Sequence, residues 1–94
     1  MIPENAEAYL DEVKSLLVQR GTSYDNGTER SMAKTVEAFN AITGSSMTEQ
    51  QGWLFMECLK NVRLFTNKDS YHLDSALDGI AYAALKAESF NKEV

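Results

Sequence analysis

Apolar residues recur at helical spacing in four separate stretches of this chain. In each stretch they lie mostly three or four positions apart, so they share one face of a helix. They are Tyr9, Leu10, Val13, Leu16 and Leu17; Met32, Val36, Phe39 and Ile42; Trp53, Phe55, Met56, Leu59 and Val62; and Leu73, Leu77, Ile80, Ala81, Ala84 and Leu85. No segment keeps the period of two that is typical of a strand. The pattern predicts an all-α fold: four helices with short loops, in a mostly antiparallel bundle.

Glycines mark two of the predicted helix ends. Gly21 follows the first apolar stripe and Gly44 follows the second, each where a left-handed C-cap is expected. Residues 22–28, TSYDNGT, contain an Asn-Gly pair and no apolar periodicity, so we expect a loop there. The second helix should then begin near Thr28 or Ser31.

Capping side chains mark the two remaining starts. Thr48 is followed three residues later by Gln51, which is the capping-box pattern, so the third helix should begin there. The segment TNKDS at residues 66–70 interrupts the apolar pattern. Either Asp69 or Ser70 can then cap the fourth helix.

Length and composition limit the classes of protein. The 94 residues suffice for one modest core, so we expect a single helical domain over residues 1–94. A hydrophobic content of 44% with 24% charged residues is ordinary for a folded protein. The formal net charge of −5 and the pI of about 4.7 argue against stable nucleic-acid binding, which needs a basic surface.

The single cysteine, Cys58, has no intramolecular disulfide partner, which favours a reducing compartment. We expect it to be a small buried hydrophobic side chain. The N-terminal residues MIPENAEAYLDEVK are acidic and lack a long apolar run, and no segment approaches the ~18 apolar residues of a membrane span. These features predict a cytoplasmic protein that does not associate with membranes.

A polar edge runs beside the apolar stripe on each of the last two helices. Its members are Asp74, Asp78 and Tyr82 on the fourth helix and Glu57, Lys60, Asn61 and Arg63 on the third. Residues four apart share a helix face. Consecutive helices with a short connection usually pack antiparallel, which can bring the two edges face to face.

Two interpretations of this mixed seam are open. In the first, Glu57, Asp74 and Asp78 bind Mg²⁺, which uses a few carboxylates, waters and substrate phosphates. Lys60 and Arg63 then bind phosphate oxygens. In the second, Lys60 pairs with Asp74 or Asp78, and Arg63 pairs with Glu57 or the loop. The seam is then a satisfied polar layer that fixes the helix register.

Two more residues are candidates for nucleotide binding. Tyr24 is the one large side chain in the predicted loop, where it either packs onto the core or stacks on a base. His72 either caps the fourth helix at the surface or acts as a ligand or proton-transfer group. It is the only histidine and Cys58 the only cysteine, which excludes a zinc site.

The run LKNVRLFTNKDSYHLDSALDGIAYAALKAE, with LVQRGTSYDN upstream, resembles a family of small helical proteins of tailed phages and prophages. The shared pattern is Arg-Gly and Tyr near the first loop, Leu-Lys-x-x-Arg on one helix and Asp-x-x-x-Asp-x-x-x-Tyr on the last. The resemblance covers nearly the whole chain, and the family is largely of unknown function. The positions that it carries over are Arg20, Gly21, Tyr24, Lys60, Arg63, His72, Asp74, Asp78 and Tyr82.

The acidic helix edges are similar, more distantly, to those of the all-α nucleoside triphosphate pyrophosphohydrolases of the MazG and dimeric dUTPase type. Proteins of that type hold Mg²⁺ with Glu-x-x-Glu on one helix and Glu-x-x-Asp on the next. Here Lys60 stands where the second Glu would follow Glu57, and Asp74 and Asp78 are four residues apart. The loss of a carboxylate to a cation argues against catalysis more than against the fold.

Two functions follow as hypotheses. One is a phage or prophage accessory protein with a Mg²⁺ and nucleotide-phosphate site between the third and fourth helices, either a pyrophosphohydrolase or a binding-only relative. Arg20, Tyr24 and His72 would contribute to this site. The alternative is a non-enzymatic acidic phage protein that binds and inhibits a host or defence protein.

A bundle of this size can also gain stability as a homodimer, because few residues remain for a private core. Four aromatic side chains are candidates for a shared surface: Trp53, Phe55, Phe65 and Phe90. Of these, Trp53 is expected to lie in the core of the monomer.

Overall fold

A computed structural model describes residues 1–24 and 31–93, and it describes the side chains of residues 1–20 and 31–91. It contains α1 (Ala6–Tyr24), α2 (Met32–Thr43), α3 (Glu49–Thr66) and α4 (Leu73–Ser89), followed by a short 3₁₀ helix (Phe90–Glu93). Within these residues there is no strand. The all-α class and the four helices are therefore confirmed.

The first helix extends beyond its predicted end. α1 continues through Gly21 to Tyr24, so the predicted C-cap at Gly21 is wrong, as is the loop over residues 22–24. A glycine inside a helix costs only about 1 kcal/mol relative to alanine, which the neighbouring helical turns can offset. The rest of the predicted loop, with the alternative helix start at Thr28, lies outside the described residues.

The ends of α2 and α3 follow the predicted local signals. Gly44 is left-handed at φ 73°, and its N–H donates to the Asn40 carbonyl at 2.8 Å. Ser31 occupies the N-cap position of α2, without a side-chain cap bond. Thr48 Oγ1 accepts from the Gln51 N–H at 3.1 Å, and Gln51 Oε1 accepts from the Thr48 N–H at 2.9 Å. The capping box is confirmed.

The start of α4 differs from the prediction. His72 is the N-cap residue, and its Nδ1 accepts from the Ser75 N–H at 3.3 Å and lies 2.6 Å from Ser75 Oγ. The predicted cap at Asp69 or Ser70 is wrong, because an N-cap acceptor must reach the N–H groups two or three residues on. With α4 beginning at Leu73, His72 is the residue within that reach.

The helices pack in the order α1, α4, α3, α2. The contact between α3 and α4 is the most extensive, while α1 packs against α4 and α2 packs against α3. Gln50, in the first turn of α3, donates to the carbonyl of Ser89, the last residue of α4, so these helices are antiparallel. The Asn40 side chain bonds both backbone groups of Met47 and fixes the turn between α2 and α3.

The core lies mainly between α1 and α4. Val13, Leu77 and Ala81 are buried there, with Tyr9, Leu16, Leu17, Leu73 and Ile80 packed around them. On α3, Trp53 is buried, as predicted, but Cys58 is exposed, so the prediction of a buried cysteine is wrong. None of the described helices is long and apolar enough to cross a membrane.

Candidate functional site

Asp78 gathers two cations from two different helices. It lies in the buried face of α4, against which both α1 and α3 pack. Arg20 on α1 donates from Nη2 to Asp78 Oδ1 at 2.6 Å, and Lys60 Nζ on α3 lies 3.1 Å from Asp78 Oδ2. One carboxylate therefore connects three helices, and the Lys60 to Asp78 pair of the structural interpretation is observed.

The three side chains of this cluster are largely withdrawn from water. Their exposed fractions are 27% for Arg20, 15% for Lys60 and 12% for Asp78. Burying charges is costly unless they are paired and hydrogen-bonded, and here each cation has its own carboxylate oxygen. The cluster is therefore a fixed arrangement of the folded chain and not a transient surface ion pair.

Gly79 lies at the contact between α3 and α4 beside this cluster. A Cβ atom at Gly79 would lie 3.5 Å from Asn61 Oδ1 and 3.9 Å from Lys60 Cβ, which are contact distances. The aliphatic part of Lys60 thus begins against the α4 backbone, and its ammonium group extends to Asp78. The Lys60 ammonium group thus reaches Asp78, the residue that precedes Gly79 on α4.

Glu57 is held by a residue that the sequence reasoning missed. Its Oε1 accepts from Lys86 Nζ at 2.7 Å, and both side chains are partly buried. The predicted pairing of Arg63 with Glu57 is not what the structure shows. This partner could have been found from the sequence. If Lys60 is aligned with Asp78 in an antiparallel pair, Glu57, one turn earlier on α3, faces a later turn of α4, where Lys86 lies.

Two other predicted residues stand outside these ion pairs. Arg63 lies one turn after Lys60 on α3, and Asp74 lies one turn before Asp78 on α4. Both are exposed, and within the described part of the chain neither side chain makes an ion pair. Arg63 therefore remains accessible at the same edge of α3 as Lys60.

The predicted magnesium ligands do not come together as a three-carboxylate site. In residues 1–24 and 31–93, no group of three or more His, Cys, Asp or Glu side chains could hold a metal ion. Glu57 and Asp78 already bind cations of the protein, and Asp74 is exposed. The carboxylates alone do not fit a ready-made Mg²⁺ site, and magnesium binding stays a prediction.

The two remaining candidates for nucleotide binding are His72 and Tyr24. His72 caps α4, which is one of its two predicted roles. Its side chain bonds Ser75 and not a residue of the Asp78 cluster. The side chain of Tyr24 lies outside the described residues, so its predicted contact with a base stays a prediction.

Two aromatic contacts join α4 and the segment before it to neighbouring helices. Tyr82, one turn after Asp78, stacks on Trp53 with ring centroids 5.9 Å apart and an angle of 29° between the planes. Near the start of α4, the hydroxyls of Tyr9 and Tyr71 are 2.7 Å apart. This hydrogen bond, followed by burial and the charge of Tyr9, raises the pKa of Tyr71 above its ordinary value.

No protein-family model, curated protein or solved structure matches the chain. The function is therefore inferred from the geometry of the site. Arginine and lysine side chains held side by side are the donors that proteins use for phosphate oxygens, since their charged N–H groups form short, strong bonds. Arg20 and Lys60 meet at Asp78, and Arg63 is exposed one turn from Lys60, so these three cations are the candidates for binding an anion.

Proposed function

We propose that this chain is a phage or prophage accessory protein of the host cytoplasm that binds the phosphates of a nucleotide between α3 and α4 without hydrolysing it. The observation that carries the proposal is the convergence of Arg20 and Lys60 on Asp78. Two cations against one carboxylate leave the cluster with a formal charge of +1 in a chain whose net charge is −5. The resemblance to MazG-type proteins supplies the nucleotide as the ligand class.

Asp78 acts in this proposal as the group that orients the cations. An ammonium group has three N–H donors, and among the described residues the partner of Lys60 is Asp78. Its other donors can bond phosphate oxygens. Because Lys60 is already ordered by its carboxylate, phosphate binding costs little side-chain entropy.

Arg63 supplies the second contact. It is exposed and lies one helical turn from Lys60, and an arginine fork can bond two phosphate oxygens at once. Arg63 is already exposed, whereas the Lys60 side chain is only 15% exposed and would meet the phosphate at the edge of the cluster. The two side chains together would bind one phosphate group, with Arg20 adding charge from α1.

Magnesium enters the proposal as the counter-ion of the nucleotide. Mg²⁺ is commonly held by one or two carboxylates together with substrate phosphates and water. Asp74, exposed one turn from Asp78, is the carboxylate that would contribute a ligand. Because Glu57 and Asp78 are each paired with a lysine, the site is proposed to bind without catalysis.

A thermal-shift panel tests the proposal, with nucleoside triphosphates, monophosphates and cyclic nucleotides, each with and without Mg²⁺. A ligand present at about 100 times its Kd stabilises the folded state by about 2.7 kcal/mol, so triphosphates should raise the melting temperature. Arg63→Gln should lose this shift, whereas Lys34→Gln, which removes an exposed cation of α2, should retain it.

Three results would contradict this proposal in whole or in part. If no nucleotide raises the melting temperature of the wild type, the Asp78 cluster is a structural ion-pair layer. If Arg63→Gln and Lys34→Gln weaken the shift equally, binding reflects net charge alone. Release of pyrophosphate from a triphosphate by the purified chain would show turnover and would overturn the binding-only part.

The alternative function, an acidic protein that inhibits a host or defence protein, is favoured by one observation. Glu7 and Asp11 lie one turn apart on α1, with Glu4 and Glu12 nearby, and all four are exposed. A carboxylate-rich surface can occupy a basic groove of another protein. Under this alternative, Glu7→Lys with Asp11→Lys abolishes inhibition of a nuclease or defence complex and leaves nucleotide-induced stabilisation unchanged. Inhibition that survives both substitutions would exclude this surface.

A further inference from the structure

α3 carries a stripe of apolar side chains on the face that α4 leaves uncovered. We call it the outer stripe, and it consists of Leu54, Phe55, Cys58, Val62 and Phe65. The exposed fractions are 45% for Leu54, 64% for Phe55, 59% for Val62 and 84% for Phe65. Contiguous apolar surface of this kind is uncommon on monomeric proteins and marks an interaction site.

The spacing of the outer stripe is that of a helix–helix seam. Phe55, Cys58, Val62 and Phe65 follow intervals of three, four and three residues, as a and d positions of a coiled coil do. These intervals are the same when read from either end. A second α3 running in the opposite direction would therefore oppose Phe55 with Phe65 and Cys58 with Val62.

The surface area of the chain leaves room for an interface of standard size, and the self-complementary spacing of the outer stripe makes a second copy its occupant. The chain exposes 6733 Å². A compact monomer of its mass, 10.5 kDa, exposes about 5,400 Å². The excess of about 1,300 Å² is larger than the ~800 Å² that each partner buries in a stable interface of standard size. The radius of gyration, 14.5 Å, likewise exceeds the ~12 Å of a compact domain of this length.

The position of Cys58 agrees with a covered stripe. Free cysteine is among the residue types that are most often buried, yet here it lies exposed in the middle of an apolar seam. The exposed parts of Phe55 and Phe65 alone amount to about 300 Å² if a phenylalanine exposes about 200 Å². Burial of these rings by another copy would supply the two ends of the seam, with Cys58 and Val62 at its centre.

We propose that two copies of this chain associate through their outer stripes, with the two α3 helices antiparallel about a two-fold axis between Cys58 and Val62. Such an interface is isologous, because each residue meets a counterpart from the same stripe. Opposed helix dipoles also favour the antiparallel direction. The proposal does not depend on nucleotide binding, since the stripe and the Asp78 cluster use different faces of α3.

Sedimentation equilibrium of the full chain tests the association. Two variants are compared with the wild type: a lysine substitution within the outer stripe, and a control lysine substitution outside it. The wild type should have twice the 10.5 kDa mass of the chain. Phe65→Lys should weaken dimerisation by about 100-fold or more, because each dimer loses both of its Phe55–Phe65 contacts and places two charges in the apolar seam. Leu10→Lys, at an exposed apolar residue of α1, should leave the dimer unchanged.

Because Phe65 is mostly exposed in the single chain, its substitution should preserve the helical circular dichroism spectrum. A wild type that remains a single chain at high micromolar concentration would overturn the proposal. So would a Phe65→Lys variant that stays dimeric, or a Leu10→Lys variant that dissociates to the same extent.

Disulfide trapping tests the antiparallel register. The wild type is mixed in equal amounts with the double variant Cys58→Ser/Val62→Cys. In a mixed dimer, Cys58 of the wild type lies opposite the thiol at position 62 of the variant. Glutathione disulfide accepts the two electrons as the thiols lose their protons and form the bond. The mixture should give a covalent dimer and the wild type alone should not. A covalent dimer formed by the wild type alone would overturn this register.

Discussion

Replacing Asp78 with asparagine would leave two cations side by side without the carboxylate that holds them. Breaking a fully buried ion pair costs about 3–5 kcal/mol, whereas an exposed pair contributes about 0–1 kcal/mol. Asp78 and Lys60 are 12% and 15% exposed and Arg20 is 27% exposed, so the cluster is closer to the buried limit. We expect Asp78→Asn to lower the free energy of unfolding by about 2–4 kcal/mol.

A loss of this size should be readily measured in a domain of 94 residues. Such domains have total stabilities of about 5–15 kcal/mol, and each kcal/mol shifts the melting temperature by about 4–8 °C. Urea unfolding can be followed by the fluorescence of Trp53, the one tryptophan, which is a buried residue of α3. The midpoint should fall while the slope of the transition stays constant.

Asp74→Asn is the matched control for this experiment. It makes the same change of charge one turn earlier on α4, at an exposed residue. We expect its effect to stay within about 0.5 kcal/mol. Equal losses in the two variants, or a loss below about 0.5 kcal/mol for Asp78→Asn, would refute the view that Asp78 connects three helices.

Four further predictions concern local packing, titration and helix capping. Gly52→Ala should destabilise the chain by about 1–3 kcal/mol, since its Cβ would lie 2.8 Å from Val36 Cγ2. Gly79→Ala, with no atom nearer than 3.5 Å, should stabilise it by about 0.5–1 kcal/mol; the opposite order of urea midpoints would be incompatible with this packing. The raised pKa of Tyr71 means that its neutral form stabilises the fold below about pH 10, and this contribution is lost as pH rises through the raised pKa. Tyr71→Phe should remove that part of the alkaline loss of stability, and urea titrations with an unchanged pH profile would count against it. His72→Ala should cost about 1 kcal/mol as the loss of an N-cap, with His72→Asn restoring most of it; no difference between the two would exclude a capping role.

The features that were predictable from sequence are those that depend on nearby residues. The capping box of Thr48 and Gln51 and the left-handed Gly44 each involve residues within four positions, and both are confirmed. The end of α1 was not predictable in this way. The glycine signal at Gly21 is weak, because the penalty of about 1 kcal/mol is small beside what neighbouring helical turns contribute.

The polar contacts were harder to predict because they join distant parts of the chain. Lys60 and Asp78 could be paired by assuming an antiparallel hairpin, and the structure shows that pair. The partner of Asp78 on α1, Arg20, depends on how α1 packs on α4, which helical periodicity does not specify. The exposure of Cys58 has the same origin, since periodicity identifies an apolar residue but not which face a neighbour covers.

The most direct test of nucleotide binding is an NMR titration of the ¹⁵N-labelled chain with a nucleoside triphosphate and Mg²⁺. We predict that the amide chemical shifts change most around Lys60 and Arg63 on α3 and around Asp74 and Asp78 on α4. The acidic first half of α1 should stay unchanged. An absence of shifts at millimolar nucleotide, or shifts that avoid α3 and α4, would contradict a phosphate site between these helices.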